Sequence, residues 1–389
     1  MVALLVAAGM VAAFHVGKVP PALPSIRAEL GADLSQAGWL LSMVNLITAL
    51  GGTAIALTAD RLGHRRLVIL GTALCLLASL ASASVNSVAA LLVGRAFEGL
   101  GFIAVVVAIP TLVLRLAAPA DQRIAMTWWS TYMPAGAGTM MLIAALVLAD
   151  SSWRIAWLVA SAASALMLLA LLAWALPRRE LDVVPVERHP VLAEMAEVST
   201  SSGPLAIAVC FGAYSCCWYM VVGFLPTLQV ERLGLSASTA AVVNGVVTIV
   251  NVAGNLAAGW LLQRGVLRVV VITGAALSMA VCAAGIFVDG VPDLLRLMLA
   301  GLYSAVIGAV AASLFAAIPV HAERRLVGAA SGLLMQGSNI GALAGPPLTA
   351  ALVSAGGWPQ AAWLTTVALG IVAASGVFLH WRERRKLAA

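Results

Sequence analysis

Twelve apolar runs follow one another along the chain, separated by short polar breaks, over 2–26, 34–58, 67–86, 88–116, 124–148, 154–176, 204–228, 236–262, 268–288, 293–320, 327–354 and 359–380. Each has the ~20 residues that a helix needs to cross the hydrocarbon of a bilayer. The runs do not alternate apolar with polar positions, which excludes the strands of a membrane barrel and leaves helices. The first run starts at Met1 with neither a basic leader nor a polar small-residue cleavage site, so it reads as a retained helix.

The longest polar break, Pro177 to Gly203, falls between the sixth and seventh runs. It divides the chain into a six-helix half over 1–176, a cytoplasmic linker over 177–203, a second half over 204–381 and a tail over 382–389. The stretch Val191 to Val198 has the look of a short surface helix. The halves resemble each other. Leu23-Pro24 to Gly31 matches Leu225-Pro226 to Gly234, Asp60-Arg61 matches Gln263-Arg264, and Trp153 to Trp157 matches Trp358 to Trp363. Three matches in order, at a nearly constant offset of about 202 residues, indicate duplication. Parallel six-helix repeats are a transporter architecture with the solute site expected between them.

Composition sharpens this picture. Of 389 residues, 62% are hydrophobic and only 10% charged, against ~25% charged in soluble domains. Mean hydropathy is +1.03. Lipid must cover most of the exterior. The net charge of +6 reflects topology and not nucleic-acid binding. With the N-terminus inside, sixteen of the twenty-two basic residues are cytoplasmic, from Arg61 to Lys386, and only Arg27, Arg154 and Arg232 lie opposite. That is a strong positive-inside signal. We expect a monomeric, multi-pass protein of a bacterial inner membrane with both termini cytoplasmic. The five cysteines lie inside apolar runs without metal-ligand spacing and read as small apolar residues; no metal or cofactor is expected.

The loop Ala56-Leu-Thr-Ala-Asp60-Arg61-Leu-Gly63-His-Arg65-Arg66 resembles the signature of the major facilitator superfamily, with Ala56 and His64 as departures. Arg95-Ala-Phe-Glu98-Gly99-Leu-Gly101 is similar to that superfamily's second motif. The resemblance implies an all-α integral membrane fold of twelve transmembrane helices in two pseudo-symmetric six-helix bundles, working by alternating access. It further implies that Asp60, Arg61, Gly63, Arg65 and Arg66 form a cytoplasmic gate. A carboxylate at Asp60 suits the positive N-terminal end of the eleventh helix; a purely topological role for these charges is the plain alternative.

Few ionisable residues lie inside the runs: His15, Lys18, Arg95, Glu98 and Arg296. Such groups are costly in hydrocarbon and face a cavity or a partner. Lys18 is eight residues from the outer end of the first run and Arg95 about seven from that of the fourth, so they share a depth. His15 lies one turn from Lys18, and Glu98 one turn from Arg95. If both helices line the cavity, as the resemblance implies, the four form one cluster. Its two fixed cations outweigh one carboxylate, while His15 takes either charge state near neutral pH. A net positive site prefers an anion. The alternative is a closed Arg95–Glu98 pair with Lys18 snorkelling to the interface, as Arg296 is expected to do.

Trp128, Tyr132, Tyr214, Gln336 and Asn339 are candidates to complete the solute site, one tryptophan of the fifth run sharing a face with Tyr132. Asn244, Thr248, Asn251 and Asn255 form one stripe, suited either to a cavity wall or to interhelical hydrogen bonds. Trp39, Trp153, Trp358 and Trp381 are expected as interface anchors. Gly337, Gly341 and Gly345 would allow close helix approach, and Pro20, Pro21, Pro24, Pro134, Pro346 and Pro347 mark expected kinks. The reading that follows is proton-coupled uptake of a small anion, with Lys18 and Arg95 attracting it and His15 or Glu98 taking the proton. A proton-driven drug or metabolite exporter is second. Such antiporters usually carry Gly-Pro-x-x-Gly-Gly in the fifth helix, where this chain has Met133-Pro-Ala-Gly136-Ala-Gly138. The first, fifth and eleventh runs look similar to the cyanate and nitroimidazole porter branch, while the paired arginines of nitrate porters are missing. A membrane enzyme or sensor is disfavoured by the lack of catalytic motifs and of a soluble appendage.

Overall fold

The computed structural model describes residues 1–46, 48–50, 62–118, 121–148, 152–173, 191–323 and 326–388. These are helices and short turns, without a strand among the described residues. The helices are α1 (Val2–Gly17), α2 (Val19–Leu30), α3 (Leu34–Ser42), α4 (His64–Ser82), α5 (Val88–Leu116), α6 (Gln122–Ser130), α7 (Tyr132–Val147), α8 (Arg154–Ala173), α9 (Val191–Thr200), α10 (Ser202–Leu233), α11 (Ala237–Gln263), α12 (Arg268–Phe287), α13 (Asp293–His321), α14 (Val327–Gly356) and α15 (Pro359–Ala388). Nine stretches of the described residues are long and apolar enough to cross a membrane, the joined α1–α2 among them. Three of the twelve runs fall outside that set for plain reasons. The second extends past the described residues, the fifth is split at Thr131, and the eleventh is diluted by glycine, serine and proline. Asp60 and Arg61 lie outside the described residues.

Local chemistry sets the ends. Asp33 and Gln36 cap α3 reciprocally, the Asp33 carboxylate accepting from the Gln36 amide at 2.7 Å and the Gln36 side chain from the Asp33 amide at 3.1 Å. Gly31 and Gly234 both take left-handed φ, at 66° and 62°, where a side chain would be strained. They close the duplicated Leu-Pro segments, so the repeat seen in sequence is also a repeat of backbone conformation. Pro20 and Pro21 lack amide hydrogens, which deprives the carbonyls of Val16 and Gly17 of their usual donors. The helix accordingly breaks at Lys18, between α1 and α2. A second break at Thr131 precedes Pro134. Pro346 and Pro347, in contrast, lie inside the single helix α14.

Contacts group the chain into two units, one of Met1–Val186 with Leu225–Ile249, the other of Glu187–Phe224 with Val250–Ala389. In the first, α1 packs on α7 through small residues. A Cβ on Gly17 would run into the Ala137 backbone, one on Gly136 into the Met10 carbonyl, and one on Gly9 would meet the Trp129 ring at 2.5 Å. In the second, the glycines of α14 meet α10. A Cβ on Gly337 or Gly341 would strike the carbonyls of Ala208 or Gly212, and one on Gly345 would lie 3.0 Å from the Cys216 carbonyl. Close approach without side chains is the packing mode of membrane helices.

Several expectations need correction. Trp153 and Trp358 are buried, not interface anchors. Trp153 packs edge-on against Trp157, and Trp358 packs edge-on against Phe224 and stacks parallel to Phe287. Trp39 and Trp381 are exposed. Arg296 does not snorkel: it is buried and donates to the carbonyls of Ile286, Val288 and Val291 at the end of α12. These are helix-terminal acceptors that suit a cation. The asparagine stripe serves packing, because Asn244 and Thr248 contact the Met141 sulfur on α7 and Asn251 donates to Ser304 on α13.

The glycine seam yields a sign test. Gly341→Ala should lower the thermal midpoint of the purified protein, overpacking costing about 1–3 kcal/mol. Gly370→Ala, where nothing lies within reach of a Cβ, should raise it, by about 0.5–1 kcal/mol of helix propensity. Equal shifts would remove the seam as the reason for these glycines.

Candidate functional site

The first unit holds a charged cluster with no solvent exposure. His15 and Lys18 come from the end of α1, Arg95 and Glu98 from α5, Ser79 from α4, and Trp157 and Ser164 from α8. Lys18 Nζ has three donors and three acceptors in reach: Glu98 Oε1 at 2.6 Å, Ser79 Oγ at 2.6 Å and His15 Nδ1 at 3.3 Å. Since the ammonium only donates, Nδ1 must be the accepting nitrogen of His15. The ring is therefore assigned as the Nε2–H tautomer, which donates to Ser164 Oγ at 2.9 Å. Ser79 passes its own hydrogen to the Trp157 carbonyl at 3.0 Å. The Lys18 ammonium also lies 4.6 Å from the Trp157 ring centroid.

Arg95 holds the other side of the same carboxylate. Its Nη1 pairs with Glu98 Oε2 and donates to the His15 carbonyl at 2.6 Å, and its Nε donates to the Leu40 carbonyl at 3.1 Å. Arg95 therefore bonds α1 next to the break at Lys18, where the proline pair has thinned the backbone hydrogen bonding. Nη2 has no hydrogen-bond partner among the described residues. One carboxylate thus faces one lysine and one arginine, so with His15 neutral and Lys18 protonated the cluster carries a formal surplus of one positive charge.

Sequence depth alone brought His15, Lys18, Arg95 and Glu98 to one level, and the structure joins all four. Lys18 does not snorkel. It missed Ser79, Ser164 and Trp157, which carry no mark in an apolar run. The cluster also points into the bundle of α1, α4, α5 and α8, on the side of α1 away from Gly9 and Gly17. The remaining candidates lie elsewhere. Trp128 is 65% exposed, whereas Trp129 stacks on Tyr132 at 4.2 Å. The break at Thr131 puts residues three apart, and not four apart, on one face, so Trp129 replaces Trp128. Tyr214 stacks on Phe211 at 5.1 Å. Asn339 donates to the Met335 carbonyl of its own helix at 2.7 Å, and Gln336 is half-buried. Gly63 caps α4 with φ 83°, Arg65 is half-buried and Arg66 exposed.

The major facilitator superfamily model matches residues 5–335 and 207–389. The chain belongs to the major facilitator superfamily. Membership makes it a multi-pass secondary transporter of small molecules, not an enzyme, with the fold of twelve helices in two six-helix bundles. A relative along nearly the whole length is the 3-(3-hydroxy-phenyl)propionate transporter of Escherichia coli (strain K12), 24% identical over 363 residues, 93% of this chain and 89% of that one. Among solved structures, a D-xylose–proton symporter aligns with a TM-score of 0.76 at 14% identity over 97% of this chain and 96% of that chain. A nucleoside transporter aligns at 0.77 and 13% identity, over 97% and 98%. At these identities the likeness is one of fold.

The charge count of this superfamily member's cluster is open to a stability test. Glu98→Gln leaves two buried cations without their shared counter-ion and should cost about 3–5 kcal/mol. Lys18→Met leaves the Arg95–Glu98 pair intact and should cost less. Thermal unfolding in detergent orders the two, and equal loss would mean that Glu98 does not balance both cations.

Proposed function

We propose that this transporter takes up a small organic carboxylate together with protons. The observation that carries the reading is the surplus positive charge of the Lys18–Glu98–Arg95 cluster, which sits at the break between α1 and α2. A proton arriving at Glu98 would remove the only carboxylate that holds Lys18 and Arg95. Two cations left in low dielectric then favour an anion. His15 offers the route. If Nδ1 takes a proton it loses the Lys18 donor and turns towards Glu98 Oε1, 3.8 Å away. The relative that transports an aromatic acid supports a carboxylate as cargo. Within the first unit, the stacked pair Trp129–Tyr132 supplies a flat apolar surface for such a solute.

In this reading the protein works as a monomer in a bacterial inner membrane with both termini cytoplasmic. Residues 1–176 and 204–381 are its two moving halves, joined by 177–203. The loop from Asp60 to Arg66 acts as the cytoplasmic gate.

Purified protein in liposomes with an imposed pH gradient, assayed with 3-(3-hydroxyphenyl)propionate, benzoate and D-xylose, tests the reading. The carboxylates should accumulate with the gradient and D-xylose should not. Uptake of D-xylose alone, or solute moving out against protons moving in, would overturn it. Lys18→Met and Arg95→Gln should each reduce carboxylate uptake at least tenfold. Asp60→Asn should slow turnover several-fold while the protein inserts normally, and normal turnover in that variant would remove the gate role.

A further inference from the structure

Helix α4 is 19 residues long and begins on the basic residues His64, Arg65 and Arg66. At the rise of an α-helix it spans about 28 Å, the thickness of the hydrocarbon of a bilayer. Its far end, with the start of α8 packed beside it, therefore stands at the opposite membrane boundary. A groove of about 560 Å³ opens there on the surface of the first unit. Leu77, Leu80 and Ala81 of α4 line it together with Ser84 just past that helix, and Arg154 and Leu158 line it from α8. Leu77, Ala81 and Ser84 are four and three residues apart, so they share one face. The three leucines are exposed walls, and the small Ala81 leaves the gap between them. From Leu77 to Ser84 the groove climbs about 10 Å, from hydrocarbon depth to the boundary.

The upper end of the groove is polar and balanced in charge. The Arg154 guanidinium lies over the Trp153 ring, 4.5 Å from its centroid. Its Nη2 donates to the Val85 carbonyl at 3.0 Å and to Asn86 Oδ1 at 2.7 Å, and its Nη1 pairs with Glu29 Oε1. These bonds leave Arg154 Nε, the Asn86 Nδ2 donors and Glu29 Oε2 without a partner among the described residues. The Glu29 side chain is 43% exposed, so its second oxygen is within reach of a ligand. One arginine and one glutamate sum to zero, and an anionic headgroup gains nothing from net charge here. A zwitterionic headgroup can use both signs, its phosphate on the donors and its ammonium on the carboxylate.

We propose that this groove holds one phosphatidylethanolamine molecule, an acyl chain lying along Leu77, Leu80, Ala81 and Leu158 and the headgroup spanning the Arg154–Glu29 pair. The groove is apolar at hydrocarbon depth and polar at the boundary, the same order as in a phospholipid. The phosphate oxygens accept from Arg154 Nε and Asn86 Nδ2, and the primary ammonium donates to Glu29 Oε2. A choline headgroup is quaternary and has no hydrogen to donate there. Phosphatidylglycerol brings hydroxyls in place of a cation. The assignment of the site to the outer leaflet rests on the orientation proposed above, whereas the binding does not depend on what solute the protein carries.

Native mass spectrometry of the detergent-solubilised protein reads this without any transport measurement. Offered phosphatidylethanolamine and phosphatidylcholine of matched chains in equal amounts, the wild type should retain the former with about fivefold preference, the strength of a good exposed ion pair. Glu29→Gln should retain a lipid without preference, which also shows that the groove is intact. Ala81→Phe fills the groove from an exposed position, leaves the Arg154–Glu29 pair in place and should lose the retained lipid. Equal retention of the two lipids in the wild type, or a preference that survives Glu29→Gln, would overturn the proposal. So would undiminished retention in Ala81→Phe, or a stronger hold on phosphatidylglycerol than on phosphatidylethanolamine. Displacement by soluble phosphoethanolamine would overturn it as well, because the partner would then be a free headgroup and not a lipid.

Discussion

Glu98 is one carboxylate between two buried cations, and the first half of the molecule is arranged around that imbalance. Removing charges from water costs several kcal/mol for each ion, and attraction recovers it only with good geometry and with the remaining donors satisfied. Here each Lys18 hydrogen has an acceptor, and Ser79, Ser164 and the carbonyls of Trp157, Leu40 and His15 extend the network, while Arg95 Nη2 has no hydrogen-bond partner among the described residues. The cluster draws on α1, α3, α4, α5 and α8 together, so it ties five helices at one point. It also stands at the weakest part of α1. The proline pair leaves the carbonyls of Val16 and Gly17 without their usual donors there, and the Arg95 guanidinium bonds the neighbouring His15 carbonyl. A charge change at Glu98 would therefore act where the helix is already prepared to bend.

The opposite side of α1 uses the reverse strategy. Gly9 and Gly17 carry no side chain at all, so α7 approaches until ring and backbone touch. The second half repeats this with Gly337, Gly341 and Gly345 against α10. Shape holds one face of the helix and charge holds the other. A helix fixed in this way can turn about its glycine seam only if the ionic contacts let go. In the proposed function, that would link the packing to the transport cycle through Glu98.

Much of this was legible in the sequence because membranes penalise ambiguity. Twelve apolar runs, a polar midpoint and matching Leu-Pro to Gly segments are sufficient for the fold, and the left-handed Gly31 and Gly234 show the repeat in the backbone. Counting residues from the helix ends placed His15, Lys18, Arg95 and Glu98 together, since depth in a bilayer is set by rise per residue. Rotation about the helix axis was harder to read. Trp129 and not Trp128 stacks on Tyr132, because Thr131 breaks the helix and resets the phase. Trp153 and Trp358 sit at span ends yet turn inward, and Arg296 folds back onto carbonyls that have no sequence signature. Serines such as Ser79 and Ser164 are invisible among alanines until a partner is seen.

The central claim is that Lys18 and Glu98 act as one charged unit, and a double-substitution cycle measures that directly. Thermal unfolding of Lys18→Met, Glu98→Gln and the combined variant gives a coupling free energy. The account predicts that adding Lys18→Met to Glu98→Gln recovers stability, because it removes one of two stranded cations, with a coupling of about 2–3 kcal/mol. Strictly additive losses would contradict it.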